Sequence, residues 1–141
     1  MSMEIETRLG EQIGRYLDLA TSQIKLTAAN MANIDTPGYR AVGMDFEAEM
    51  REALDDVDRD GMDRDGVDRK GAGLGAAGPV RGARPVRVRQ VDGLIARPDG
   101  NDVSMDRESL TLAEAQLKFK TGVALLKVQN QMILDAIHVD K

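Results

Sequence analysis

Ala28-Ala29-Asn30-Met31-Ala32-Asn33-Ile34-Asp35-Thr36-Pro37-Gly38-Tyr39-Arg40 closes a long N-terminal helix and turns the chain sharply. Thr36-Pro37-Gly38-Tyr39 has the composition of a type II turn, with Pro fixing φ at the second position and Gly supplying positive φ at the third. Thr36 precedes a proline and is pushed out of the α region, so the helix ends at or before it. Asn30, Asn33 and Asp35 stand where the last helical carbonyls and the first loop amides need side-chain partners.

Upstream of this stop, residues 5–34 read as one amphipathic helix. Ile13, Leu17, Ala20, Ile24, Thr27, Met31 and Ile34 are spaced 4-3-4-3-4-3, a heptad seam with a single polar member. Gly10 and Gly14 weaken its first turns by ~1 kcal/mol each relative to Ala. Residues 104–138 read as a second long helix. Asp102 and Ser104 are candidate N-caps, and Asp106 and Glu108 suit the first turn. One seam runs Leu112, Gln116, Phe119, Val123, Leu126, Asn130, Ile133 and Ile137. A neighbouring seam runs Leu110, Ala113, Leu117, Thr121, Ala124 and Val128. Together they are wider than one partner helix covers.

At 1.5 Å per residue these helices are roughly 45 and 52 Å long. Similar length and opposite chain ends favour an antiparallel coiled-coil pair. Such a pair has little core of its own and needs other chains beside it. The fold class expected is mainly α: paired terminal helices, a flexible middle and a small β-hairpin.

The middle, residues 35–103, has a different composition. Residues 57–71 are three pentapeptides, VDRDG, MDRDG and VDRKG, and seven of the fourteen glycines fall within 61–82. That segment has too little apolar area to offset its ordering entropy, and reads as a flexible insertion. Pro85-Val86-Arg87-Val88-Arg89-Gln90-Val91 alternates apolar and polar, and Asp92-Gly93 offers a turn to Leu94-Ile95-Ala96, hence the hairpin. Charge is uneven: residues 51–70 hold eight acids and five bases, and 81–97 hold five Arg and one acid. The arginine-rich run reads as a solvated strand face, a phosphate-binding ribbon or an internal tie to the acidic repeat.

Chemistry has few candidates. A net charge of −5 argues against nucleic-acid binding, and the absence of cysteine excludes disulfides and thiolate chemistry. Asp56-x-Asp58-x-Asp60-Gly61 fits the start of an EF-hand loop, but its twelfth position is Val67 where a bidentate Glu belongs. His138 has no second ligand at metal spacing. No nucleophile, base or phosphate-binding glycine loop is in pattern, so catalytic residues, cofactors and metal ligands are all expected to be none. No run approaches the ~18 apolar residues of a membrane span. The first residues lack a basic, then apolar, secretory signal.

The run AANMANIDTPGYRA resembles the N-terminal signature of bacterial flagellar rod, hook and hook-associated proteins. VGMDFEAEM and DGNDVSMDRESLTLAEAQLKF are similar to its proximal-rod branch, the FlgB type. The matching blocks cover roughly residues 5–50 and 98–138. The resemblance implies a structural subunit of the basal-body rod. Such a subunit polymerises through its terminal helices, transmits torque and lines the export channel. It implies export through the flagellar apparatus to the periplasm-crossing rod without a cleaved signal. Implied partners are other copies of itself, a FliE-type adaptor, a FlgC-type rod subunit and export-gate proteins. Interface candidates are Ile13, Leu17, Ile24, Asn30, Met31, Asn33, Thr36, Pro37, Gly38, Tyr39, Leu112, Phe119, Val123, Leu126, Ile133 and Ile137. Rival readings are a FlgC-type rod subunit, a calcium-responsive module using the Asp-rich repeat, and a cytosolic coiled-coil adaptor.

Overall fold

The computed structural model describes residues 2–64 and 84–139. Its elements in chain order are helix α1 (Ser2–Ala32), strand β1 (Val42–Gly43), helix α2 (Phe46–Arg64), strand β2 (Arg89–Gln90) and helix α3 (Met105–Val139). The fold is mainly helical, with long terminal helices and one small antiparallel sheet.

Helices α1 and α3 run antiparallel. Contacts fall in reversed order along the pair: Asn30 with Glu108, Gln23 with Lys118, Leu17 with Gly122, and Gly10 with Gln129. The helices come closest where their side chains are smallest. Ala20 and Ala115 are fully buried, and a Cβ added to Gly122 would sit 2.6 Å from Leu17 Cδ2. Gly122 therefore trades helix propensity for close approach.

The inward stripe of α3 differs by one residue position from the seam expected. It runs Glu108, Leu112, Ala115, Gly122, Leu126, Gln129 and Ile133, with Phe119 exposed at its edge. Leu112, Phe119, Leu126 and Ile133 belong to the expected seam. At the intervening places Ala115, Gly122 and Gln129 are buried, while Gln116 and Asn130 are exposed and Val123 is half-buried. Small residues win the first two of those places, and Gln129 fits opposite Gly10 of α1, because backbone proximity, not hydrophobicity alone, decides which side packs.

The middle is more ordered than its composition implies. Asp45 caps α2, its Oδ1 accepting from the Ala48 amide at 3.0 Å, and Glu47 and Glu49 complement the first turn. Phe46, Met50, Ala53 and Val57 share one face of α2, and Val57 is buried. The Phe46 ring meets Tyr16 of α1 edge to face at 5.5 Å, and Lys118 Nζ lies 4.3 Å over its face. Arg8 pairs with Asp58, tying α2 to α1 again. The expected flexible insertion is thus helical through Arg64. The rest of the pentapeptide repeat and the Gly/Ala tract, residues 65–83, lie outside the described residues.

The expected hairpin takes another partner. Arg89–Gln90 pairs with Val42–Gly43 rather than with residues 94–96, and the Val91 amide continues the ladder to Ala41 O at 2.9 Å. Ion pairs hold the same segment against α2. Arg87 bonds Glu49 at 2.9 Å and also Glu52, and Arg84 bonds Glu52 at 2.7 Å and Asp56 at 3.4 Å. Within the arginine-rich run, Arg84 and Arg87 form an internal tie to α2. Hydrogen bonding and the charge of Glu49 and Glu52 raise the Arg87 pKa above its usual value, so it stays a cation.

Candidate functional site

The buried polar chemistry of the fold converges on the corner where α1 ends and α3 begins, built from two sequence blocks some sixty residues apart. Thr36-Pro37-Gly38-Tyr39 forms the expected turn: the Tyr39 amide donates to Thr36 O at 3.2 Å and Gly38 has φ +72°. Against it lies Asp99-Gly100-Asn101-Asp102, whose Asp99 carbonyl accepts from the Gly38 amide at 2.9 Å.

Three buried polar side chains lock the two blocks. Asn30 Nδ2 donates to Val42 O at 2.8 Å and Glu108 Oε2 at 3.0 Å. Its Oδ1 accepts from the Val42 amide at 3.0 Å and the Tyr39 hydroxyl at 3.3 Å. Asn101 Nδ2 faces three carbonyls just past the end of α1, Asn33 at 2.9 Å, Ile34 at 3.0 Å and Thr36 at 2.8 Å. Its Oδ1 accepts from the Val103 amide at 2.8 Å. Asp102 accepts from the Ala41 amide at 2.6 Å and from Arg40 Nε at 2.7 Å. Asp102 therefore ties the corner instead of capping α3, whose capping position is Ser104. Asn30 and Asn101 are fully buried, and every polar atom of theirs is used. The knot fixes the angle at which the helices leave the turn.

Other candidate residues fall into distinct environments. Ile13 is buried, and Leu17, Ile24 and Met31 are half-buried along the α1 seam. Asn33 Nδ2 donates to Ala29 O at 2.8 Å, and the Thr36 hydroxyl donates to Asn33 Oδ1 at 3.1 Å. Thr36, Pro37 and Gly38 are exposed, and Tyr39 is half-buried. Leu112, Val123, Leu126 and Ile133 are half-buried on α3, whereas Phe119 and Ile137 are exposed.

On the far side of α3 the second sequence seam is uncovered. Leu110, Leu117, Val128 and Met132 are 72%, 66%, 54% and 63% exposed, and Ala113, Thr121 and Ala124 between them are exposed too. This row spans roughly 33 Å of helix at 1.5 Å per residue. Isolated surface apolar residues are ordinary, but a continuous stripe marks a contact face.

Sequence reasoning missed Asn101, Asp102, Glu108 and Gly122 as determinants of this geometry. Gly122 carried a signal, a glycine amid strong helix formers. The Asn101 and Asp102 bonds span sixty or more residues and leave no local pattern. The EF-hand fragment resolves otherwise: Asp56 and Asp58 sit in α2, where side chains two apart diverge, and they pair with Arg84 and Arg8. Among the described residues no cluster of three His, Asp or Glu is poised to hold a metal ion, and no helix is long and apolar enough to cross a membrane.

These features define a class of protein: a helical chain whose terminal helices pair, are locked at one end by a polar knot, and turn an apolar face outward. No protein-family model matches the chain. Individual relatives do. It is 32% identical over 126 residues to "Flagellar basal body rod protein FlgB" of Salmonella typhimurium, an alignment covering 86% of each chain. It is 32% identical over 134 residues to the protein of the same name from Cereibacter sphaeroides, covering 93% of this chain and 97% of that one. The Yersinia ruckeri counterpart is 31% identical over 115 residues, covering 78% and 79%. The chain belongs to the family of the flagellar basal body rod protein FlgB.

Proposed function

We propose that this chain is a non-enzymatic structural subunit of the flagellar basal-body rod, polymerising through its terminal helices. The carrying observation is the outward apolar row of α3, which α1 leaves uncovered along its whole length. Covering it with neighbouring subunits buries apolar surface worth roughly 25 cal/mol per Å². The exposed Thr36-Pro37-Gly38 turn is offered to neighbours at the locked corner. In the assembled rod the subunits transmit torque and line the export channel. The chain reaches the rod through the flagellar export route, and contacts a FliE-type adaptor, a FlgC-type subunit and export-gate proteins.

Few large apolar side chains among the described residues are buried within the subunit, so packing into the rod supplies much of its stability. The calcium-responsive reading is disfavoured because Asp56 and Asp58 are helical and ion-paired. Calorimetry with Ca²⁺ should show no saturable heat.

Imaging basal bodies from cells lacking this chain tests the proposal. Rings present without rod or hook are expected. A normal rod in those cells would sink the assignment and reopen the cytosolic adaptor.

A further inference from the structure

The arm formed by residues 84–91 lies beside α1 with a hollow along each half. One hollow, of about 250 Å³, is walled by Ser22, Lys25 and Leu26 of α1 and by Val86 and Val88 of the arm. The other, of about 270 Å³, opens where Arg89, Gln90 and Val91 meet α1, β1 and the first turns of α3. Leu26 is a wall of both. Well-packed elements leave few voids larger than a water molecule between them, so the arm is poorly seated on α1. Val86 is half-buried, and Val88 is 50% exposed.

The ends of the arm hold it in place. At one end Arg84 meets Glu52 and Asp56, and Arg87 meets Glu49 and Glu52, all of them on α2. At the other end Arg89–Gln90 pairs with Val42–Gly43, and the Val91 amide donates to Ala41 O at 2.9 Å. The two arginine side chains are 56% and 61% exposed, so dissolved salt reaches these ion pairs. The α1–α3 pair rests instead on close packing at Ala20, Ala115 and Gly122, which salt does not screen.

We propose that residues 84–91 form a strap, closed by charge, that opens as a unit while α1 and α3 stay paired. Opening joins the two hollows into one cleft along α1, with Leu26 in its wall, and leaves β1 without its partner strand. The subunit then has two states of one surface. Whatever screens the acids of α2, or competes for them with cations of its own, shifts that surface toward the open state. The strap is a property of the single chain and does not depend on the rod reading.

Hydrogen exchange on the full-length chain tests this. Raising NaCl from about 0.05 to about 1 M should speed exchange at the Val91 amide about tenfold, the combined effect of several exposed ion pairs. The helical amides of Leu17 and Gly122 should keep their rates. A Val91 rate that ignores salt, or one that rises together with Leu17 and Gly122, overturns the strap. Arg84→Gln with Arg87→Gln should give Val91 its high-salt rate already at low salt and abolish the salt response. A response as large as that of the unchanged chain would overturn the arginines as the fastening. Because the chain has no cysteine, a single introduced thiol gives a second readout. The thiol of Leu26→Cys should react with a maleimide about tenfold faster at high salt, and that of Ala29→Cys, at an exposed position, should not change. Equal responses at the two positions overturn the cleft.

Discussion

Helices α1 and α3 are similar in length, 31 and 35 residues, yet they use their apolar residues differently. Helix α1 gathers them toward its partners: Ile13, Leu19 and Ala20 are buried, and α2 and α3 both pack on it. Helix α3 carries apolar residues on two opposite sides and covers only one. Its inner side is small and close-packed, with Ala115 and Gly122, while its outer side is large and open, with Leu110, Leu117 and Val128. The lesson is a division of labour. The inner side of α3 sets the fold of the subunit, and the outer side is left open for the assembly proposed above.

That contrast breaks if inner-side changes leave the fold intact. The largest effect is expected at Asn30. Asn30→Ala strands the buried Glu108 carboxylate and both backbone groups of Val42, costing about 2–4 kcal/mol. Circular dichroism of the purified variant should show reduced helix, and a wild-type spectrum with wild-type urea resistance would contradict the knot. Next is Gly122→Leu, which forces α1 and α3 apart and costs about 1–3 kcal/mol by overpacking. Hydrogen exchange should then speed up along both helices near Leu17 and Gly122; unchanged protection would mean that the helices do not meet there.

Smaller effects sharpen the comparison at the corner and in the middle. Asp102→Asn weakens the Arg40 and Ala41 bonds by about 1–2 kcal/mol, the loss of charge-assisted strength, and should lower the denaturation midpoint modestly. A midpoint that did not move would relieve Asp102 of any locking role. Arg87→Ala should barely shift it, because the ion pairs with Glu49 and Glu52 are solvent-screened on the arginine side. Its effect should appear instead as faster exchange at the Val91 amide as the arm loosens from α2.

Much of this architecture was legible before any coordinates. The stop at Thr36-Pro37-Gly38-Tyr39 is local chemistry, and it falls where expected. Both long helices follow from periodicity. Periodicity could not decide which of two adjacent stripes on α3 turns inward, because that depends on how near α1 can come, and Gly122 and Ala115 decide it. Helix α2 was obscured by the Asp- and Gly-rich repeat that begins inside it, although Asp45, Phe46, Met50, Ala53 and Val57 carried a cap and a helical stripe. The strand at Arg89–Gln90 was visible, but its partner, Val42–Gly43, lies far back along the chain, where no local pattern points to it. Asn101 read as a turn residue, and only the folded corner reveals it as the partner of three carbonyls past the end of α1.

The claim that α3 faces two ways is tested most directly by loading its outer row with charge. Leu117→Asp with Val128→Asp, expressed in cells lacking the native chain, places two carboxylates where apolar contact is proposed. The account predicts a purified double variant with wild-type helix content and basal bodies in those cells with rings but no rod. Normal rods and motility in those cells would show that the outer face of α3 is not the assembly surface.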